Sequence, residues 1–234
     1  MLVAAGVFPH PPALVPQVAG QRAFELEGLR AACAEGLARL LRSRPDLLVV
    51  VGGAQHTVSY SWPVAGTLAP HGVDLEVGTG EAVLPLSLTI ARWLLENHRG
   101  GPVPAFESVA SDASPEKCLE LGRCVAQRSQ RVALMVMGDG SACRDTQAPG
   151  FHDPDAVPYD DHLARALGDG DVEALVALDP AMSERLLVSG RAAWQVLAGA
   201  ARDRPVRGEL LDYRSPYGVG YFVASWQLEP DRED

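Results

Sequence analysis

The sequence predicts an α/β domain built on a largely parallel central sheet. Short β-branched runs bounded by Gly or Pro recur along its 234 residues, and amphipathic helical patterns alternate with them. That length is ordinary for one α/β core, so a single domain over 1–234 is expected. Hydrophobic residues make up 47% and charged residues 21%, a balance that excludes disordered, collagen-like and coiled-coil chains.

The elements follow in order. Residues 2–8 form an apolar first strand; the stretch lacks a basic flank and meets Pro9 at once, which argues against a signal peptide. Residues 22–42 place Leu26, Leu29, Cys33, Leu37, Leu40 and Leu41 on one helical face. Strands are expected at 46–51, 131–137, 209–213 and 220–226. Helices are expected at 85–98, 115–128, 156–167, 171–178, 180–187 and 191–201, with Ser114 as N-cap before Pro115. The stretches 57–80 and 144–158, rich in Gly and Pro, resist a regular assignment and read as long loops. The tail 229–234 reads as frayed.

The formal charge is −10, from 30 acids against 20 bases. Nucleic-acid binding depends on phosphate neutralisation, so no nucleic-acid partner is expected, and an anionic membrane surface is disfavoured in the same way. No apolar run reaches the ~18 residues of a membrane span. The cysteines, Cys33, Cys118, Cys124 and Cys143, fit no zinc spacing or compact disulfide framework and read as free thiols in a reducing cytoplasm. The composition is compatible with a homodimer, although no segment identifies an interface.

Three polar residues occupy the same kind of position. His10 follows the first strand in Phe8-Pro9-His10-Pro11-Pro12, His56 follows the second in Gly52-Gly53-Ala54-Gln55-His56, and Asp139 follows a later one in Gly138-Asp139-Gly140-Ser141. In open α/β sheets ligands bind beyond the carboxyl ends of the strands. Two imidazoles and a carboxylate there have the composition of a divalent-metal site. The plainer alternatives are loop or cap histidines and an Asx-turn at Asp139. His152 and His162 are alternative site residues, whereas His71 and His98 read as surface. Tyr60, Trp62, Tyr159 and Tyr217 lie in or beside loops, either anchoring them or lining an aromatic pocket.

The opening Val7-Phe8-Pro9-His10-Pro11-Pro12, the strand before His56, Gly138-Asp139-Gly140-Ser141 and Ala148-Pro149-Gly150-Phe151-His152-Asp153-Pro154 together resemble the class III extradiol ring-cleavage dioxygenases, in their catalytic B-subunit-like branch. Ser189-Gly190-Arg191 is similar to a Cys-Gly-Arg element of the related Memo proteins. The resemblance implies a three-layer αβα sandwich around a mixed sheet. It also implies Fe(II) held by His10 and His56, with Zn(II) or another divalent metal as the alternative, and a small catechol-type aromatic as substrate.

The match has gaps. The family's catalytic His would fall within Ser141-Ala142-Cys143-Arg144, where Cys143 is the nearby titratable residue. Asp139 and Cys143 are therefore the candidate catalytic residues. Glu184 and Glu209 lie in the right third of the chain for the family's glutamate ligand, but neither sits in a matching motif. Ser189 stands at the Memo-like cysteine position. Arg191, opening a helix, is the candidate for binding a substrate carboxylate, with an ordinary core-edge arginine as the plainer reading. Three readings stay open: ring cleavage, a Memo-like metal protein with a binding or redox role, and an α/β module whose histidines are structural.

Overall fold

The computed structural model describes residues 1–98, 100–202 and 204–228; the tail expected to fray lies outside them. In chain order the strands are β1 (Leu2–Phe8), β2 (Leu47–Ala54), β3 (Val58–Tyr60), β4 (Val64–Thr67), β5 (Glu76–Gly78), β6 (Glu81–Ala82), β7 (Ala105–Ala110), β8 (Val132–Met137), β9 (Val206–Arg214) and β10 (Tyr221–Leu228). The helices are α1 (Pro16–Ala19), α2 (Glu27–Arg42), α3 (Leu86–Glu96), α4 (Pro115–Ala126), α5 (Ala156–Asp169), α6 (Val172–Val176), α7 (Pro180–Arg185) and α8 (Arg191–Ala201).

Seven strands form one sheet in the order β3-β7-β2-β8-β1-β10-β9. Its centre, β7, β2, β8 and β1, is parallel, and antiparallel pairs close both edges. The expected mixed sheet with a largely parallel core is therefore the observed one. β8 is buried at every position, as a strand covered on both faces must be. Two apolar clusters lie on opposite faces. One gathers Trp194, Leu197, Leu163, Leu167 and Val125 from α8, α5 and α4. The other gathers Leu29, Leu37, Leu40, Leu88 and Ile90 from α2 and α3. That arrangement gives the three layers.

The first long helix begins later than the leucine pattern suggests. Residues Gly20–Leu26 form a 3₁₀ segment before α2. The stretch 57–80, expected as loop, holds β3 and most of a separate three-stranded sheet, β5-β4-β6. β7 was not expected: its strand alternation is broken by Glu107 and Ser108, both buried. Glu107 is held there by Arg128 and by the Ser59 hydroxyl.

On one face α4 and α8 touch backbone to backbone. A Cβ added at Gly122 would stand 2.1 Å from the Val196 carbonyl oxygen, and one at Gly199 would stand 2.2 Å from that of Leu119. Main-chain atoms cannot step aside as a side chain can. Gly199→Ala should therefore cost about 2 kcal/mol, because overpacking exceeds the ~1 kcal/mol of helix propensity that alanine gains. Urea unfolding checks this; an unchanged or raised midpoint would show that the helices separate easily.

Candidate functional site

β8 lies between β1 and β2, with Phe8 and Gly52 both in register with Met137. His10 and Asp139 each follow that level by two residues, and so meet at the same end of the sheet. The Asp139 Oδ1 atom accepts the His10 backbone N–H at 2.8 Å. The His10 imidazole Nδ1 lies 3.7 Å from the same oxygen. His10 is 8% exposed and Asp139 9%. Nδ1 is buried and makes no hydrogen bond among the described residues. Burial raises the Asp139 carboxyl above its ordinary range; the neighbouring His10 and its amide oppose that shift.

His56 is placed differently. β2 runs on to Ala54 and the chain then turns over the end of β7 into β3. The Ser111 amide donates to the Ala54 carbonyl at 2.9 Å, and the Ser108 hydroxyl donates to the His56 carbonyl at 2.7 Å. These bonds hold the turn on the β7 side of β2, whereas β8 and Asp139 lie on the other side. His56 itself is exposed. Among the described residues no three His, Cys, Asp or Glu side chains are grouped so that they could hold a metal ion.

The segment carrying Ser189, Gly190 and Arg191 lies across these strand ends. The Gly190 amide donates to the Asp139 carbonyl at 3.0 Å. A Cβ on Gly138 would stand 2.6 Å from the Gly190 Cα, and one on Gly53 would stand 2.9 Å from the Ser189 carbonyl oxygen. Glycine at both positions is what lets α8 begin directly above β8 and β2. Arg191 is 4% exposed. Its guanidinium donates to the carbonyls of Ala113, at 2.6 Å, and Ser111, and to Gln195 Oε1 at 3.0 Å. It thereby ties α8 to the β7–α4 turn and borders a cavity of about 450 Å³.

Cys143 is 3% exposed and packs with Ala156 and Leu186. Burial pushes its thiol up, so it stays protonated near neutral pH. Glu184 is exposed and borders the same cavity as Arg191. Glu209 pairs with Arg39 at 2.6 Å on β9, at the far edge of the sheet. His71, His152 and His162 are exposed, and His98 is half-buried. The loop aromatics act as separate anchors. The Tyr60 hydroxyl sits 3.4 Å from Ser108 Oγ, Trp62 lies under Arg92, the Tyr159 hydroxyl meets Ser183 Oγ at 3.0 Å, and the Tyr217 hydroxyl donates to Glu25 at 3.0 Å.

Asp160 carries a role that sequence reading missed. Fully buried, it accepts the Ser141 amide at 2.9 Å and pairs with Arg144 at 2.7 Å. It thus pins the turn that presents Asp139. A signal was present: Ala156, Asp160, Leu163 and Leu167 fall on one face of α5, so an acid sits in an apolar stripe.

No family model matches the chain. Protein CA_C1420 of Clostridium acetobutylicum is 27% identical over 105 residues, which covers 45% of this chain and 22% of that protein. The chain thus matches less than a quarter of the length of this relative. Among solved structures, the uncharacterized protein JW3007 of Escherichia coli K12 aligns over 96% of this chain and 99% of its own, with a TM-score of 0.56 and 17% identity. That likeness is one of fold.

The raised Asp139 carboxyl gives a pH signature. A buried acid whose folded value lies above its ordinary 3.8 favours the folded state below that pH, and the benefit is lost as pH rises. In metal-free protein, the stability of the wild type relative to Asp139→Asn should fall as pH rises above about 4. The slope should reach at most ~1.4 kcal/mol per pH unit before levelling. Paired urea titrations across that range measure it; a difference that grows with pH would mean the folded site favours the carboxylate anion.

Proposed function

We propose that the chain is a class III extradiol dioxygenase-like protein that holds one divalent metal at the ends of β1, β8 and β2. Fe(II) is the first choice, and Zn(II) or another divalent ion is the alternative that the same donors would accept. His10 carries this reading: a buried imidazole with no hydrogen bond at Nδ1, facing a buried carboxylate at the end of the sheet. A buried ring nitrogen left without a hydrogen bond is costly in a purely structural role.

His10 and His56 are the residues that would hold the metal. His10 is already fixed by Pro9, Pro11 and the bond from its amide to Asp139. His56 would join from its exposed turn, with its side chain directed back across β2. Bound there, Fe(II) would supply open positions at which a small catechol-type aromatic and O2 can meet. Asp139 Oδ1 is occupied by the His10 amide, which leaves Oδ2 to take a phenolic proton and return it. Burial raises that carboxyl above its ordinary range, which favours its holding a proton. Cys143, kept as a thiol by burial, is the weaker candidate for the same role.

A second reading is favoured by one observation. The segment Ser141-Ala142-Cys143-Arg144 supplies no imidazole, and its thiol is buried. A Memo-like protein that binds metal for a binding or redox role, without ring cleavage, fits that composition. Both readings place the protein in the cytoplasm, alone or as a homodimer. The four free cysteines accord with that.

Anaerobic calorimetry with Fe(II), and Zn(II) in parallel, tests the site. One equivalent should bind to the wild type and none to His10→Ala or His56→Ala, both still folded by circular dichroism. Oxygen uptake with catechol by the iron-loaded protein then separates the two readings. Failure of the wild type to bind either metal would sink both and leave the histidines structural.

A further inference from the structure

The cavity beside α8 is lined by residues distinct from the His10–Asp139 pair. Its wall includes Arg191, Ser189, Leu187, Val188, Asp112 and Glu184, and its volume of about 450 Å³ falls in the range of small-molecule sites. Arg191 is buried, yet all three of its acceptors are neutral: two backbone carbonyls and the Gln195 amide oxygen. No carboxylate among the described residues pairs with it. Its Nε–H and one Nη2–H have no acceptor there either, which leaves donors for an anion. A buried cation without a counter-ion is costly, and a bound carboxylate relieves that cost.

The backbone points the same way. Arg191 opens an eleven-residue helix whose N-cap, Gly190, offers no side-chain hydrogen bond. The first-turn amides therefore add their positive dipole beside the guanidinium. Leu187, 52% exposed, has φ 54°. That left-handed conformation is rare for a branched side chain and recurs at ligand clamps.

The rim has the opposite sign. Asp112 and Glu184 are both exposed and form no ion pair among the described residues. They would repel a simple anion and attract a cation. The same cavity is also lined by Pro180, Leu187 and Val188. The pattern of one deep cation, two rim acids and an apolar wall is complementary to one kind of small molecule.

We propose that this cavity binds an α-amino acid with an apolar side chain. Its carboxylate sits on the free edge of the Arg191 guanidinium, its ammonium faces Glu184 and Asp112, and its side chain lies on Leu187 and Val188. The site is independent of any metal at His10.

Calorimetry on EDTA-treated protein tests it with L-leucine, L-leucinamide, which lacks the carboxylate, and 4-methylpentanoate, which lacks the ammonium. L-leucine should bind one to one, and each analogue at least tenfold more weakly. Arg191→Gln should abolish binding. Because Arg191 also braces α8, Glu184→Gln is the decisive variant should Arg191→Gln unfold. Glu184 is exposed, so its substitution should leave the fold intact, weaken L-leucine severalfold and leave 4-methylpentanoate unchanged or tighter. The proposal is overturned if the wild type does not bind L-leucine at millimolar concentration, if either analogue binds as well, or if Glu184→Gln leaves L-leucine affinity unchanged.

Discussion

The carboxyl group and carbonyl of Asp139 fasten together the elements on which the site depends. Oδ1 takes the His10 amide and so joins the end of β1 to β8, and the backbone carbonyl takes the Gly190 amide and so joins α8 to the same point. Hydrogen bonds of this kind contribute most where leaving them unmade would strand a buried donor. Both donors here are buried. The approach is also steric: glycines at 138 and 53 allow the chain before α8 to rest on the strand ends. Remove either condition and His10, Arg191 and the cavity beside them lose their common support.

A second layer of constraint lies behind that one. Asp160 and Arg144 form a pair with the acid fully buried, and the Arg144 guanidinium also meets the Tyr213 hydroxyl. Breaking such a pair from one side typically costs about 3–5 kcal/mol, because an unpaired charge is left behind. Asp160 spends its oxygens on the Ser141 amide and on Arg144, in a space so tight that a Cβ on Gly220 would stand 2.2 Å from its carboxylate. The turn that presents Asp139 is therefore rigid. The turn that presents His56 rests on backbone bonds near the surface.

Much of this was legible in the sequence, for identifiable reasons. β1, β2 and β8 are short apolar runs ending in Gly or Pro, and such runs can scarcely be anything but buried strands. Once they are strands, residues just beyond them must gather at one end of a parallel sheet, as His10 and Asp139 do. β7 was hidden because Glu107 and Ser108 break its pattern, and their partners, Arg128 and the His56 carbonyl, are distant in sequence. The small sheet of β4, β5 and β6 was hidden by glycines and by strands of two to four residues. Arg191 could be seen to open a helix, but its three neutral acceptors come from elements that only the folded chain assembles.

The placement of His56 shows why spacing alone could not complete the site. Sequence places it a few residues past a strand, as it places His10. Register decides the rest: β2 continues two residues beyond the level at which β1 ends, and the edge strand β3 draws the following turn over β7. That turn carries the second imidazole sideways over β7, away from β8 and Asp139. The two histidines thus differ in the entropy each must give up to become a ligand. His10 is already ordered by prolines and a buried carboxylate, and recruiting it costs little beyond its desolvation, which folding has already imposed. His56 must order an exposed side chain against a turn held by Ser108 and Ser111. A metal at this end of the sheet would be bound first by what His10 offers, with its affinity limited by how readily the β2–β3 turn yields.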